Sequence, residues 1–193
     1  MSQPPNPWLA MRSRDGDAYD EPYERRAAAG EDVHGEANFV CGYEVQSVLD
    51  AGCGTGRVAR ELSRRGLHLV GVDLDPVMLA TGQRKAPEIE WHVADLETVD
   101  LGRTFDAVVM AGNVMIFLTP GSEGRVLANL ARHLKPGGLL IAGFQLRTGA
   151  LDLARFDELS AGAGFELAER FGTWDRNPWV LGGGYAVSVL RKG

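Results

Sequence analysis

The chain has 193 residues, 25 of them glycine, which is nearly twice the ordinary share of about 7%. There is no Gly-X-Y period, and 45% hydrophobic content is too high for a disordered linker, so the glycines belong to a folded domain. Twenty Lys and Arg against 26 Asp and Glu give a net charge of −6, which argues against an electrostatic grip on nucleic acid. Two cysteines, Cys41 and Cys53, are too few for a disulfide framework. No stretch approaches the ~18 apolar residues of a membrane span, and the N-terminus carries no apolar leader, so a reduced, cytoplasmic protein is expected.

In chain order, residues 1–18 read as a loose tail and residues 19–46 as a helical preface, with aromatic or apolar points at Tyr19, Tyr23, Ala27, Val33, Phe39 and Val40. From Ser47 to the end, 47–193, short apolar runs alternate with helical patterns. Strands are expected over Ser47–Asp50, His68–Asp73, Glu90–Val93, Phe105–Met110 and Leu139–Gly143. Most are apolar on consecutive positions, as strands buried on both faces must be. Helices are expected over Arg57–Arg65, ending at Gly66, and over Pro76–Lys85, with Asp75 as N-cap. Two more span Ser122–Leu134, stopped by Pro136-Gly137-Gly138, and Asp152–Ala163. This alternation specifies a doubly wound α/β fold with helices on both faces of a mostly parallel sheet. The last two strands, Phe165–Trp174 and Tyr185–Leu190, lack the long helical crossover that parallel pairing needs, so they form an antiparallel hairpin.

Four motifs carry chemistry. Asp50-Ala51-Gly52-Cys53-Gly54-Thr55-Gly56-Arg57 runs from strand to helix through three alternate glycines, which permit a tight turn and expose N–H groups to a ligand. A dinucleotide fingerprint has G-x-G-x-x-G, whereas here position 57 is Arg, and Asp50 would repel a pyrophosphate but suit an ammonium. Asp73, at the end of the second strand, can accept from both hydroxyls of a ribose, while Asp75 reads as a helix cap. Asp95-Leu96 follows the third strand, where an acid can accept from an adenine amine. Gly112-Asn113 lies at the carboxyl end of the fourth strand, and Asn113 either forms the turn or faces a substrate. His133, late in a helix, reads as a residue that is solvated or favoured by the helix dipole. No cluster of metal ligands is expected.

Taken together, VLDAGCGTGRV, GVDLDP, ADL, FDAVVMAGNV, LKPGGLLIAGF and the closing hairpin resemble the class I S-adenosylmethionine-dependent methyltransferases, from Ser47 to Leu190. The resemblance implies a seven-stranded sheet in order 3-2-1-4-5-7-6 with strand 7 antiparallel, and S-adenosylmethionine as cofactor. It implies that Gly52, Cys53 and Gly54 line the methionine part, with Asp50 near the ammonium. Asp73 would hold the ribose with Leu74 against the adenine, Asp95 and Leu96 would bind the adenine edge, and Gly112 and Asn113 would lie near the methyl group. Cys53 equally fits as a small buried filler. The expected reaction is direct methyl transfer to a small-molecule acceptor, with no general base identified among the residues. The preface is expected to act as a lid in which Tyr19, Tyr23 and Arg25 or Arg26 cover the site, one Arg pairing the cofactor carboxylate. Trp174 and Trp179 either wall the acceptor pocket or pack the hairpin. An NAD(P)-dependent oxidoreductase and a non-catalytic cofactor-binding protein are the alternatives.

Overall fold

A computed structural model describes residues 6–11, 15–147 and 151–193. Three helices precede the sheet: α1 (Pro7–Met11), α2 (Gly16–Ala28) and α3 (Gly35–Val40). There follow β1 (Ser47–Ala51), α4 (Arg57–Arg64), β2 (His68–Asp73), α5 (Pro76–Lys85), β3 (Glu90–Val93), β4 (Phe105–Met110), α6 (Val114–Phe117), α7 (Glu123–Arg132) and β5 (Leu134–Gln145). The chain closes with α8 (Leu153–Gly162), β6 (Phe165–Phe171) and β7 (Tyr185–Lys192).

The seven strands form one sheet in order β3-β2-β1-β4-β5-β7-β6. β1 pairs in parallel with β2 and β4, while β7 runs antiparallel to both β5 and β6. Alternate side chains of each central strand enter opposite cores. Leu49, Val70, Val108, Met110 and Leu140 pack with α7 and α8 on one face. Val48, Leu69, Ala107, Val109 and Ile141 pack with α3 and α4 on the other. This two-sided burial is the reason the strands read as unbroken apolar runs.

Several local expectations change. β5 starts at Leu134 rather than Leu139, because Leu134 pairs with Phe105 and the register then shifts before Ala107 meets Leu139. Pro136-Gly137-Gly138 is thus an irregularity inside a strand, not a free turn, and α7 ends at Arg132. His133 is buried, not solvated. Its Nε2 accepts from the Leu101 N–H, so Nδ1 holds the proton and donates to the Asn129 carbonyl at 2.9 Å. Within the stretch read as a loose tail, residues 7–11 are helical and α2 begins at Gly16, capped by Asp15, which accepts from the Ala18 N–H at 2.9 Å. The remaining tail positions, 1–5 and 12–14, lie outside the described residues. Among the described residues no helix is long and apolar enough to cross a membrane, and no group of three or more metal-ligating side chains forms.

Candidate active site

Strands of a parallel sheet deliver their carboxyl ends, and the loops after them, to one edge, where open α/β folds bind ligands. Here the loops after β1, β2, β3 and β4 wall a single cavity. Its lining includes Asp50, Gly52, Cys53 and Gly54 from the first loop, and Asp73 and Leu74 from the second. Asp95 and Leu96 come from the third, and Ala111, Gly112 and Val114 from the fourth. Nine of the ten predicted site residues therefore meet at one place.

The tenth, Asn113, is not in the wall. It is one of two non-glycine residues with positive φ, at 69°, among the described residues, and its Oδ1 accepts from the Gln145 N–H at 2.8 Å. Asn tolerates this backbone better than most side chains do. It turns the corner into α6 and ties it to β5.

The glycine loop differs from expectation in a way that matters chemically. Gly52, Gly54 and Gly56 have φ of 76°, 56° and 72°, as the tight turn requires. Their N–H groups, however, point into the protein. Those of Gly52 and Cys53 donate to the Val72 carbonyl at 2.8 and 3.0 Å, that of Gly56 to the Cys53 carbonyl, and that of Gly54 to Asp73 Oδ2 at 2.7 Å. The amides of these four residues are therefore not left to cradle a pyrophosphate, which fits the missing third glycine of the dinucleotide pattern.

Gly56, read as part of the ligand loop, and Gly71 in β2 both make room for Trp91 instead. A Cβ on Gly56 would lie 2.1 Å from the indole Cη2, and one on Gly71 would lie 2.4 Å from Cε3. Trp91 is held in that seat by its Nε1, which donates to the Ala86 carbonyl. In contrast, a Cβ on Gly112 would meet nothing within 4 Å, and on Gly54 only Met78 Cε at 4.0 Å. These are the positions that keep the cavity open.

The electrostatics are acidic at depth. Asp50 is 2% exposed and its Oδ2 accepts from the Ala59 N–H at 3.1 Å. Burial pushes its carboxyl up to about 7. Asp73 is also raised by burial, against the pull of the Asp75 and Gly54 N–H groups that donate to its two oxygens. Burial pushes the Cys53 thiol well up, away from the thiolate that a nucleophile needs. Asp75 caps α5 by accepting from the Val77 and Met78 N–H groups, as the sequence indicated.

The N-terminal segment supplies wall residues that sequence reasoning missed. Asn6 and Trp8 line the cavity beside the expected Tyr19. The Trp8 indole donates to Asp75 Oδ2 at 2.9 Å, and its ring meets Tyr19 and Phe117 edge-on. Burial raises the Tyr19 phenol to about 12. Arg25 and Arg26 are not in the wall: they are more than half exposed and pair with Glu21 and Glu31. The arginine of the cavity is Arg57, which was noted in the sequence only as a departure from a fingerprint. Arg57 is fork-paired with Glu36, bonds the Val33 carbonyl at 2.7 Å and lies 4.4 Å above the Tyr23 ring.

Trp174 and Trp179 do not line the cavity. Trp174 donates to the Tyr185 hydroxyl at 3.0 Å and packs edge-on against Phe39, so it seats the hairpin on α3 and β5.

The donor set suits a ligand with a cationic end, a diol and an apolar flat base. It offers a buried acid at Asp50, an acid at the β2 terminus, and apolar surface at Leu74, Met78 and Leu96.

Comparison with known proteins agrees with this chemistry. Residues 48–138 match the family model described as a methyltransferase domain. Among solved structures, the chain is similar to a TehB-like SAM-dependent methyltransferase from Corynebacterium glutamicum. The two are 36% identical, with a TM-score of 0.84 over 92% of this chain and 98% of that one. It is 32% identical to dTDP-3-amino-3,4,6-trideoxy-alpha-D-glucopyranose N,N-dimethyltransferase of Streptomyces venezuelae, over 65% of this chain and 54% of that protein. It is 33% identical to dTDP-4-amino-2,3,4,6-tetradeoxy-D-glucose N,N-dimethyltransferase of Saccharopolyspora spinosa, over 51% of this chain and 40% of that protein. The chain spans about half the length of these curated relatives. With the sheet order, the four-loop cavity and a relative matched along nearly its whole length, the chain belongs to the class I S-adenosylmethionine-dependent methyltransferases.

Proposed function

We propose that this chain binds S-adenosylmethionine in the four-loop cavity and transfers its methyl group to a small-molecule acceptor. The observation that carries the reading is the convergence of Asp50, Asp73, Asp95 and the open glycines Gly54 and Gly112 on one cavity. When bound, the cofactor supplies an electrophilic sulfonium methyl group, so the protein has to align two reactants and exclude water.

The residues divide that work. Asp50 takes the ammonium in its ionised form, and the burial that raises its proton affinity strengthens the pairing once a cation is present. Asp73, pinned by the Gly54 and Asp75 N–H groups, presents its remaining lone pairs to the ribose hydroxyls. Leu74 and Leu96 flank the adenine and Asp95 accepts from its edge. Gly52 and Cys53 line the methionine arm, and Gly112 leaves its end clear. Trp8 and Tyr19 close the cavity from the N-terminal side and keep water out.

A small-molecule acceptor is supported by the two curated relatives, whose names give amino-sugar nucleotides as their substrates. An acidic net charge of −6 supports it against nucleic acid. The test is release of S-adenosylhomocysteine from S-adenosylmethionine over a panel of small amines, hydroxyls and thiols, with RNA and a protein lysate as controls. Acceptor-dependent release with a small molecule is expected. Methyl incorporation into RNA or protein alone would overturn the acceptor class, and NADH binding without S-adenosylhomocysteine binding would overturn the cofactor.

A further inference from the structure

The N-terminal helix α2 is held to the domain in an unusual way for a surface helix. Tyr19 and Tyr23 are partly buried, and its only fully buried residues are Gly16 and the acid Asp20. Asp20 is 1% exposed and its carboxylate is met from three elements at once. Thr55 Oγ1 donates to Oδ1 at 2.5 Å, while Arg60 of α4 and Lys85 of α5 donate to Oδ2 at 2.8 and 2.7 Å. A buried acid with two cations and a hydroxyl is fully satisfied, and removing it would strand those partners.

Thr55 makes this more than a surface clasp. It stands between Gly54 and Gly56 in the glycine loop and lines the cavity. Three residues with left-handed φ give that loop little stiffness of its own. On the β2 side it is tied by Val72 and Asp73. On the other side its side-chain anchor is Asp20. Gly16 permits the approach: a Cβ there would lie 2.3 Å from Thr81 Oγ1 and 3.0 Å from Thr55 Cγ2.

We propose that Asp20 is a positioning residue, acting through the Thr55 hydroxyl to set the glycine loop in its cofactor-binding shape, so that docking of α2 and binding of S-adenosylmethionine are one coupled event. The proposal rests on the reading that the cavity holds S-adenosylmethionine. Asp20 touches the loop from outside the cavity, and its effect on affinity passes through Thr55.

The experiment is calorimetric titration of S-adenosylhomocysteine into the full chain and into T55V, T55S, G16A, D20A and D20A/T55V, with the thermal midpoint of each. T55V should weaken affinity by about tenfold with its midpoint held within a few degrees, and T55S should restore it. G16A, which leaves both partners present but lifts α2 away, should weaken affinity comparably. D20A/T55V should bind no worse than D20A, because in D20A the Thr55 hydroxyl has already lost its partner. Affinity unchanged in T55V and G16A would overturn the proposal, as would a double variant weakened by the product of the single effects, which would mean that Thr55 contacts the cofactor independently. If the unaltered chain does not bind S-adenosylhomocysteine, the cofactor reading falls and the proposal with it. If it binds and the variants bind equally well, only the proposal falls.

Discussion

Replacing Asp50 with Asn separates the fold's interest from the site's. Asp50 is buried at the end of β1, and its carboxyl is raised by that burial from 3.8 to about 7. An acid whose folded pKa lies above its unfolded one costs stability as pH rises: the penalty is absent below the unfolded value, grows between the two, and is full above the folded value. With these two values the full penalty is about 4 kcal/mol near pH 8 and falls by about 2–3 kcal/mol on going to pH 5. Asn keeps the shape, and its oxygen can still accept from the Ala59 N–H. Urea unfolding of the ligand-free protein should therefore find D50N more stable than the natural chain at pH 8, with the gap narrowing towards pH 5. Calorimetry should find the reverse for function, since a neutral amide gives up the ammonium partner. In the natural chain, affinity for S-adenosylhomocysteine should drop about tenfold from pH 8 to pH 6 as Asp50 gains its proton, and this pH dependence should vanish in D50N. A D50N protein less stable than the natural chain at pH 8, or a stability gap that ignores pH, would refute the reasoning.

Other outcomes follow from the same geometry. G112A adds a methyl to open space at a φ of 70°, so it should cost only about 1 kcal/mol in denaturant unfolding while weakening cofactor binding. G71A should act mainly on stability, losing about 1–3 kcal/mol to the clash with Trp91. R25A and R26A should leave both affinity and thermal midpoint unchanged, because both side chains are exposed and paired within the N-terminal segment. R57A should lower the thermal midpoint by several degrees, since it leaves the half-buried Glu36 without its fork partner.

What was legible in the sequence tracks how local its cause is. The strand at Phe105–Met110 announces itself because every residue from Ala107 to Met110 is buried, and Asp75-Pro76 announces α5 because a cap and its helix are adjacent. Cavity membership of Asp50, Asp73 and Asp95 followed from their places at strand ends. Roles set by distant partners were not legible. Gly56 looks like a ligand glycine until Trp91 is seen lying on it. Asn113 at a strand end offers a turn or a substrate contact, and its bond from the Gln145 N–H is set by a residue 32 positions away. The same holds for Asp20, an ordinary acid in an amphipathic stretch whose three partners are 35 to 65 positions away. The inward direction of the glycine loop's amides also depends on Val72, a neighbour only across the sheet.

The most direct test of the account is a paired titration of the purified chain with S-adenosylhomocysteine and with NADH. One S-adenosylhomocysteine per chain is expected, bound more weakly after substitution of Asp73 or Asp50, with no heat from NADH. Saturable NADH binding in the absence of any S-adenosylhomocysteine signal would contradict it.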